Sequence, residues 1–235
     1  MEKGYSTQAQ AYFRGVTAQR KFLVWVYRWM TIGLALTGII ALLVYSNRTL
    51  LSYLEQNNGV FMGLIIAELI LVFVLASSIN RISVTTAIGM FLIYSALNGV
   101  TLSAIIAIYT ASSVSYALFI AALMFGMMSI YGYYTKRDLT KFGNLLSMAV
   151  VGLIIAFFIN IFWFNSTVYW VISILGIFIF VGLTAYDTQR LKQIGESVGD
   201  LDGNYMKVGV VGALTLYLDF INIFFLLLGI SGKRS

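Results

Sequence analysis

Seven separate stretches of this chain stay apolar for long enough to cross a hydrocarbon layer about 30 Å thick, which takes roughly 20 residues of helix. They are residues 24–45, 60–79, 84–109, 114–134, 145–164, 168–186 and 208–229. Composition leaves no water-soluble alternative. Of the 235 residues, 60% are hydrophobic and 10% charged, whereas a soluble domain carries roughly 25% charged residues to cover its exterior. The expected fold class is therefore an all-α membrane protein with seven transmembrane helices. Short polar joins at Asn80–Ser83, Tyr109–Ser113 and Asn165–Thr167 make consecutive helices antiparallel neighbours and favour one bundle. The domain reading is a cytoplasmic N-terminal tail over 1–23, then a single seven-helix transmembrane domain over 24–235.

Several chemistries are closed by what is missing. The chain has no Cys, no His and no Pro. Disulfides, thiolate catalysis, zinc sites and Ser-His-Asp chemistry thus lack their usual groups, and any break in a helix must come from Gly or an inserted polar group. The segment before Phe22 is polar, carries Lys3, Arg14, Arg20 and Lys21, and lacks the short apolar core and small-residue cleavage site of a signal peptide. Lys and Arg divide unevenly about the spans. Lys3, Arg14, Arg20, Lys21, Arg28, Arg81, Lys136, Arg137, Lys141, Arg190, Lys192 and Lys207 fall on the N-terminal side, against Arg48, Lys233 and Arg234 on the other. Positive residues flanking spans are retained in the cytoplasm, so the expectation is a cytoplasmic N-terminus and, after an odd number of crossings, a C-terminus outside. The net charge of +6 then reflects contact with anionic lipid in the bilayer, and no nucleic-acid partner is expected.

Ionisable residues inside apolar helices are costly and so are the informative ones. Glu68 lies mid-way along the second span, Asp219 mid-way along the last, and Asp187 toward the cytoplasmic end of the sixth. Thr215, Asp219 and Asn222 share one helix face, as do Thr184, Asp187 and Thr188, which marks two polar seams. Blander readings stand beside these. Asp187 could be a helix-end residue paired with Arg190 or Lys192. Asp219, if only structural, needs a buried partner. Glu68 reads equally as a helix–helix hydrogen bond or as a pathway residue. Arg81 reads first as a topology-setting charge that could also reach a carboxylate. Arg28 is expected to snorkel, and the Ser95, Asn98, Thr101 stripe on the third span reads as packing glue.

The run Leu216-Tyr217-Leu218-Asp219-Phe220-Ile221-Asn222-Ile223-Phe224, with Gly182-Leu183-Thr184-Ala185-Tyr186-Asp187-Thr188-Gln189 before it, resembles the signature of the Bax inhibitor-1 family, also called the transmembrane Bax inhibitor motif family. The resemblance is strongest to bacterial members and covers essentially the whole chain. It implies a central last helix wrapped by the other six, a place in the bacterial inner (plasma) membrane, and a pH-sensitive calcium leak channel. By the same resemblance Asp187 and Asp219 are the pH sensor and gate. Arg81 is the candidate gate partner, Glu68 and Asn222 belong to the ion pathway, and Asp187 with Asp219 form a weak calcium site.

Elementary chemistry is compatible with that role. Two carboxylates held together away from water disfavour double ionisation and titrate as a pair sharing a proton. Losing that proton turns attraction into repulsion, and the vacated oxygens attract a hard cation; calcium prefers six to eight oxygens, so this set would hold it weakly, as conduction requires. No cofactor is implied beyond calcium as the transported ion, and no enzyme activity is expected. The alternatives are a proton-coupled cation transporter, or an interaction protein whose tail Glu2–Lys21 modulates a membrane protease or a stress response. An intramembrane aspartyl protease fits Tyr186-Asp187, but Tyr217-Leu218-Asp219 lacks the preceding Gly-x-Gly, and a Pro-containing substrate motif cannot exist here. A retinal receptor would need a lysine within 208–229 for its Schiff base, and none is present.

Overall fold

The computed structural model describes residues 2–163, 165–197 and 203–233, with the side chains of 2–14, 161, 203 and 204 excepted. The charges counted above at Lys3, Arg14 and Arg234 therefore lie outside the described side chains. Eight helices follow in order: α1 (Glu2–Ser46), α2 (Arg48–Gln56), α3 (Asn58–Ser78), α4 (Val84–Ala107), α5 (Ala111–Tyr134), α6 (Thr140–Phe162), α7 (Ser166–Glu196) and α8 (Gly203–Ser231). Seven of them, all but α2, are long and apolar enough to cross a membrane. The expected count holds, and no strand is formed among the described residues.

The polar joins are helix caps. Ser83 Oγ accepts from Thr86 N at 3.0 Å to open α4, and Asn165 Oδ1 accepts from Thr167 N and Val168 N at 2.9 and 3.2 Å to open α7. Thr110 Oγ1 accepts from Ser113 N at the start of α5. Each cap satisfies amide protons that have no partner within their own helix, a need that is acute where water is scarce. Two features depart from the hydropathy reading. The stretch between the first two spans contains the short helix α2, capped by Asn47, whose side chain accepts from Leu50 N at 3.2 Å. The sixth span, read as ending at 186, belongs to a helix that continues to Glu196, so Asp187 stands inside a helix.

The described residues fall into two compact units. The first comprises Met1–Ile105 and Leu191–Leu214, and the second Ile106–Arg190 and Thr215–Ser235. In the first, α1 and α4 cross on small residues: Gly33 faces Phe91 and Ser95, and Gly99 faces the Thr37 carbonyl and Ile40. Thr37 Oγ1 donates to Ser95 O at 2.8 Å across that seam. Close backbone approach with interhelical hydrogen bonds is how helices associate where lipid removes the hydrophobic drive between them. In the second unit Gly132 of α5 meets Ala185 of α7, Gly143 of α6 meets the Tyr186 ring, and Gly182 of α7 meets Leu146 and Phe142. The Phe125 and Phe220 rings join α5 to α8 edge to face, with centroids 5.7 Å apart.

Burial differs sharply between spans. In the most apolar window of α8, 67% of residues are buried, against 6% for α3. The last helix is thus the most enclosed of the seven. Phe73, Met148, Phe162 and Trp163 are among the large apolar side chains left exposed, a surface that only lipid covers at low cost.

Candidate functional site

The polar seam of α7 is built by its sequence. Thr184, Asp187, Thr188 and Gln189 are all buried, and Thr184 Oγ1 donates to Phe180 O at 2.8 Å, so that hydroxyl is satisfied within its own helix. Glycines bring neighbouring helices against this segment: Gly132 leaves room for the Ala185 carbonyl, and Gly143 for the Tyr186 ring. Both close crossings fall within two residues of Asp187, on its N-terminal side. On α8, Asp219 is flanked by the buried Tyr217, Phe220 and Ile221 and is itself 3% exposed.

The carboxyl groups of Asp187 and Asp219 lie close enough to interact directly. An ionised carboxylate only accepts, so a bond between two of them requires that one carry a proton. Asp219 Oδ2 is buried without a hydrogen-bond partner. Arg190, one turn further along α7 and exposed, acts on Asp187 electrostatically. Asp187 therefore has both companions weighed from the sequence, the second aspartate and the neighbouring arginine.

The remaining candidates are placed as follows. Glu68 Oε1 accepts from Thr101 Oγ1 at 2.8 Å, and Oε2 accepts from Asn98 Nδ2 at 3.3 Å. The α4 stripe thus supplies the donors for the α3 carboxylate, which is the helix–helix hydrogen bond weighed earlier. Asn222 Nδ2 donates back to Leu218 O at 2.8 Å in its own helix. Arg81 is exposed in the turn between α3 and α4, its amide donating to Ser78 O at 2.8 Å. Among the described residues no three of Asp, Glu, His and Cys gather as a metal site.

Gln189 plays a part that the sequence did not announce. Its Oε1 accepts from Leu139 N at 2.8 Å and its Nε2 donates to Arg137 O at 2.7 Å. One buried amide, two residues beyond Asp187, therefore holds the backbone of the α5–α6 loop from both sides. Within that loop Asp138 Oδ1 accepts from Thr140 N at 2.9 Å and Thr140 Oγ1 at 2.6 Å, and these bonds hold its carboxyl below the ordinary aspartate range. Replacing Gln189 by Leu is expected to remove both clamps, costing about 1–3 kcal/mol. Hydrogen exchange at the Leu139 amide should accelerate; an unchanged rate would show that the clamp does not hold the loop.

A family model described as Bax1-I, inhibitor of apoptosis-promoting Bax1, matches residues 19–235. The chain belongs to this family. Among Bax inhibitor-1 relatives, the inner membrane protein YbhL of Escherichia coli strain K12 is 46% identical over 215 residues, covering 91% of this chain and 92% of that protein. An uncharacterised protein of Borreliella burgdorferi is 42% identical over 219 residues, covering 93% and 94%, and one of Deinococcus radiodurans is 40% identical over 216 residues, covering 92% of each. In this Bax inhibitor-1 chain the two motifs that carried the resemblance are the ones that place Asp187 and Asp219 in contact.

Proposed function

We propose that this chain is a pH-sensitive calcium leak channel of the bacterial inner membrane, with a cytoplasmic N-terminus and with Asp187 and Asp219 as its proton-controlled gate. The observation that carries this reading is the close approach of two buried acids from different helices. Such a contact is a hydrogen bond only while the pair retains a proton. With the proton in place α7 is tied to α8. When it leaves, two like charges face each other in a poorly screened setting and the tie becomes repulsion. Flux should therefore rise as pH rises through the titration of the pair and fall as it is acidified. The unpartnered Asp219 Oδ2 offers an oxygen to a passing cation, and the absence of a three-acid cluster among the described residues suits transit over retention. The inner-membrane location draws on the printed name of the Escherichia coli relative, and the orientation on the uneven distribution of Lys and Arg.

The test is purified protein in vesicles loaded with a calcium dye, read across a pH series. Dye response that climbs with pH, together with an intact transmembrane reporter peptide, is the expected result. A pH-flat leak equal to that of empty vesicles would overturn the channel reading, and cleavage of the peptide would turn the pair into a catalytic dyad. In the same assay Glu68→Gln is expected to change the size of the flux or leave it alone, with the pH profile kept. The amide oxygen can still accept from Thr101, so the change removes the charge and the weaker bond from Asn98 while keeping the α3–α4 contact. A shifted profile would bring Glu68 into the sensor.

A further inference from the structure

A groove of about 450 Å³ runs along α1, lined by Thr17, Arg20, Lys21, Val24, Trp25 and Arg28. Arg20, Lys21, Val24 and Arg28 are exposed. The groove lies where the polar start of α1 gives way to its apolar span, the level of lipid headgroups. Trp25 is fixed there. Its Nε1 donates to Met206 O at 3.4 Å, its ring meets Trp29 edge to face at 5.6 Å, and Gly209 leaves space for it. On the opposite side of this stretch the buried Gln19 donates from Nε2 to Glu196 Oε1 at 3.0 Å. The exposed face is left with three cations and an indole.

We propose that this groove binds the headgroup of a diphosphatidylglycerol-type lipid, two phosphodiesters joined by one glycerol. Arg28 is the residue that demands an anion, since an exposed guanidinium beside hydrocarbon is costly unless it is paired or reaches water. Arg20 and Lys21 stand about 10–12 Å of helix rise above Arg28, at roughly 1.5 Å per residue. One phosphate between them would meet three positive charges with a single negative one. Two linked phosphates match the charge better and reach both ends of the groove, with the bridging glycerol against the Trp25 face. Basic pockets at the membrane surface are where such headgroups dock. This assignment is independent of the gate.

The test is native mass spectrometry of the full chain in mild detergent, titrated with tetra-acyl diphosphatidylglycerol, with phosphatidylglycerol at matched phosphate, and with phosphatidylcholine. One tightly held diphosphatidylglycerol is expected, with weaker phosphatidylglycerol binding and no specific phosphatidylcholine. A surface cation contributes about 1 kcal/mol, roughly fivefold in affinity, so the Arg20→Gln/Arg28→Gln variant should bind about 25-fold more weakly. Arg20→Lys/Arg28→Lys should retain most of the affinity, which controls for folding. Lys136→Gln/Lys141→Gln, on the α5–α6 side, should bind as the unaltered chain does. Equal affinity in the glutamine variant, or an equal loss in the loop control, would overturn the site. Equal binding of the single-phosphate lipid would overturn the two-phosphate assignment.

Discussion

Asp219→Asn is expected to leave a leak that is low at every pH. The asparagine amide donates to the Asp187 carboxylate whether or not a proton is available, so the tie between α7 and α8 no longer depends on acid. A hydrogen bond to a charged acceptor contributes about 1.5–3 kcal/mol. On a two-state gate this favours the closed form by roughly tenfold to a hundredfold under alkaline conditions, where the unaltered pair has lost its proton. The flux of the variant at high pH should fall to the level that the unaltered protein shows in acid. Asp187→Asn should behave alike, because the contact is reciprocal. Asp219→Ala removes the contact instead of fixing it, and its leak should be high and equally flat. The comparison uses calcium-dye vesicles at matched protein density. If both asparagine variants retain the original pH curve, the pair does not sense protons and the gate is elsewhere.

How legible this arrangement is in the sequence depends on which forces leave a local trace. Burial in lipid does, and hydropathy therefore finds all seven crossings; the desolvation cost of an acid in an apolar helix does too, and it singles out Asp187, Asp219 and Glu68. Helix ends do not. Hydropathy reports where hydrocarbon stops, whereas α7 continues through Gln189, Arg190, Lys192 and Gln193 to Glu196 because nothing there breaks backbone bonding. That continuation keeps Asp187 inside a helix, from which it reaches Asp219 in the middle of the next span. The helix α2 is missed for a related reason, being nine residues long and far below any membrane window. Gln189 is missed because its bonds join side chain to backbone across about fifty positions of sequence, with no periodicity to betray them. The α4 stripe was legible as polar spacing at Ser95, Asn98 and Thr101. Its acceptor was not, since any of several helices could have supplied one, and only the fold brings Glu68 to it.

The close crossing next to the aspartate pair yields the second large effect. A Cβ added at Gly132 would run into the carbonyl, the carbonyl carbon and the Cα of Ala185. These are backbone atoms of a continuous helix, which no rotamer change can move aside, so α5 and α7 must separate. Overpacking of this kind costs about 1–3 kcal/mol, on the order of 2–10 °C in melting temperature for a chain of this size. Ala185 lies two residues before Asp187, so the displacement enters the segment that presents the acid to Asp219. Gly132→Ala should therefore both melt earlier and respond less steeply to pH. Gly126 on the same helix provides the control, because a Cβ there meets nothing within 4 Å. Alanine is also the better helix former, and Gly126→Ala should melt no earlier than the unaltered protein and keep the full response. Equal melting of the two alanine variants would mean that the α5–α7 contact is looser than Gly132 and Ala185 require. A lowered melting temperature with an unaltered pH curve would confine the crossing to stability and separate it from the gate.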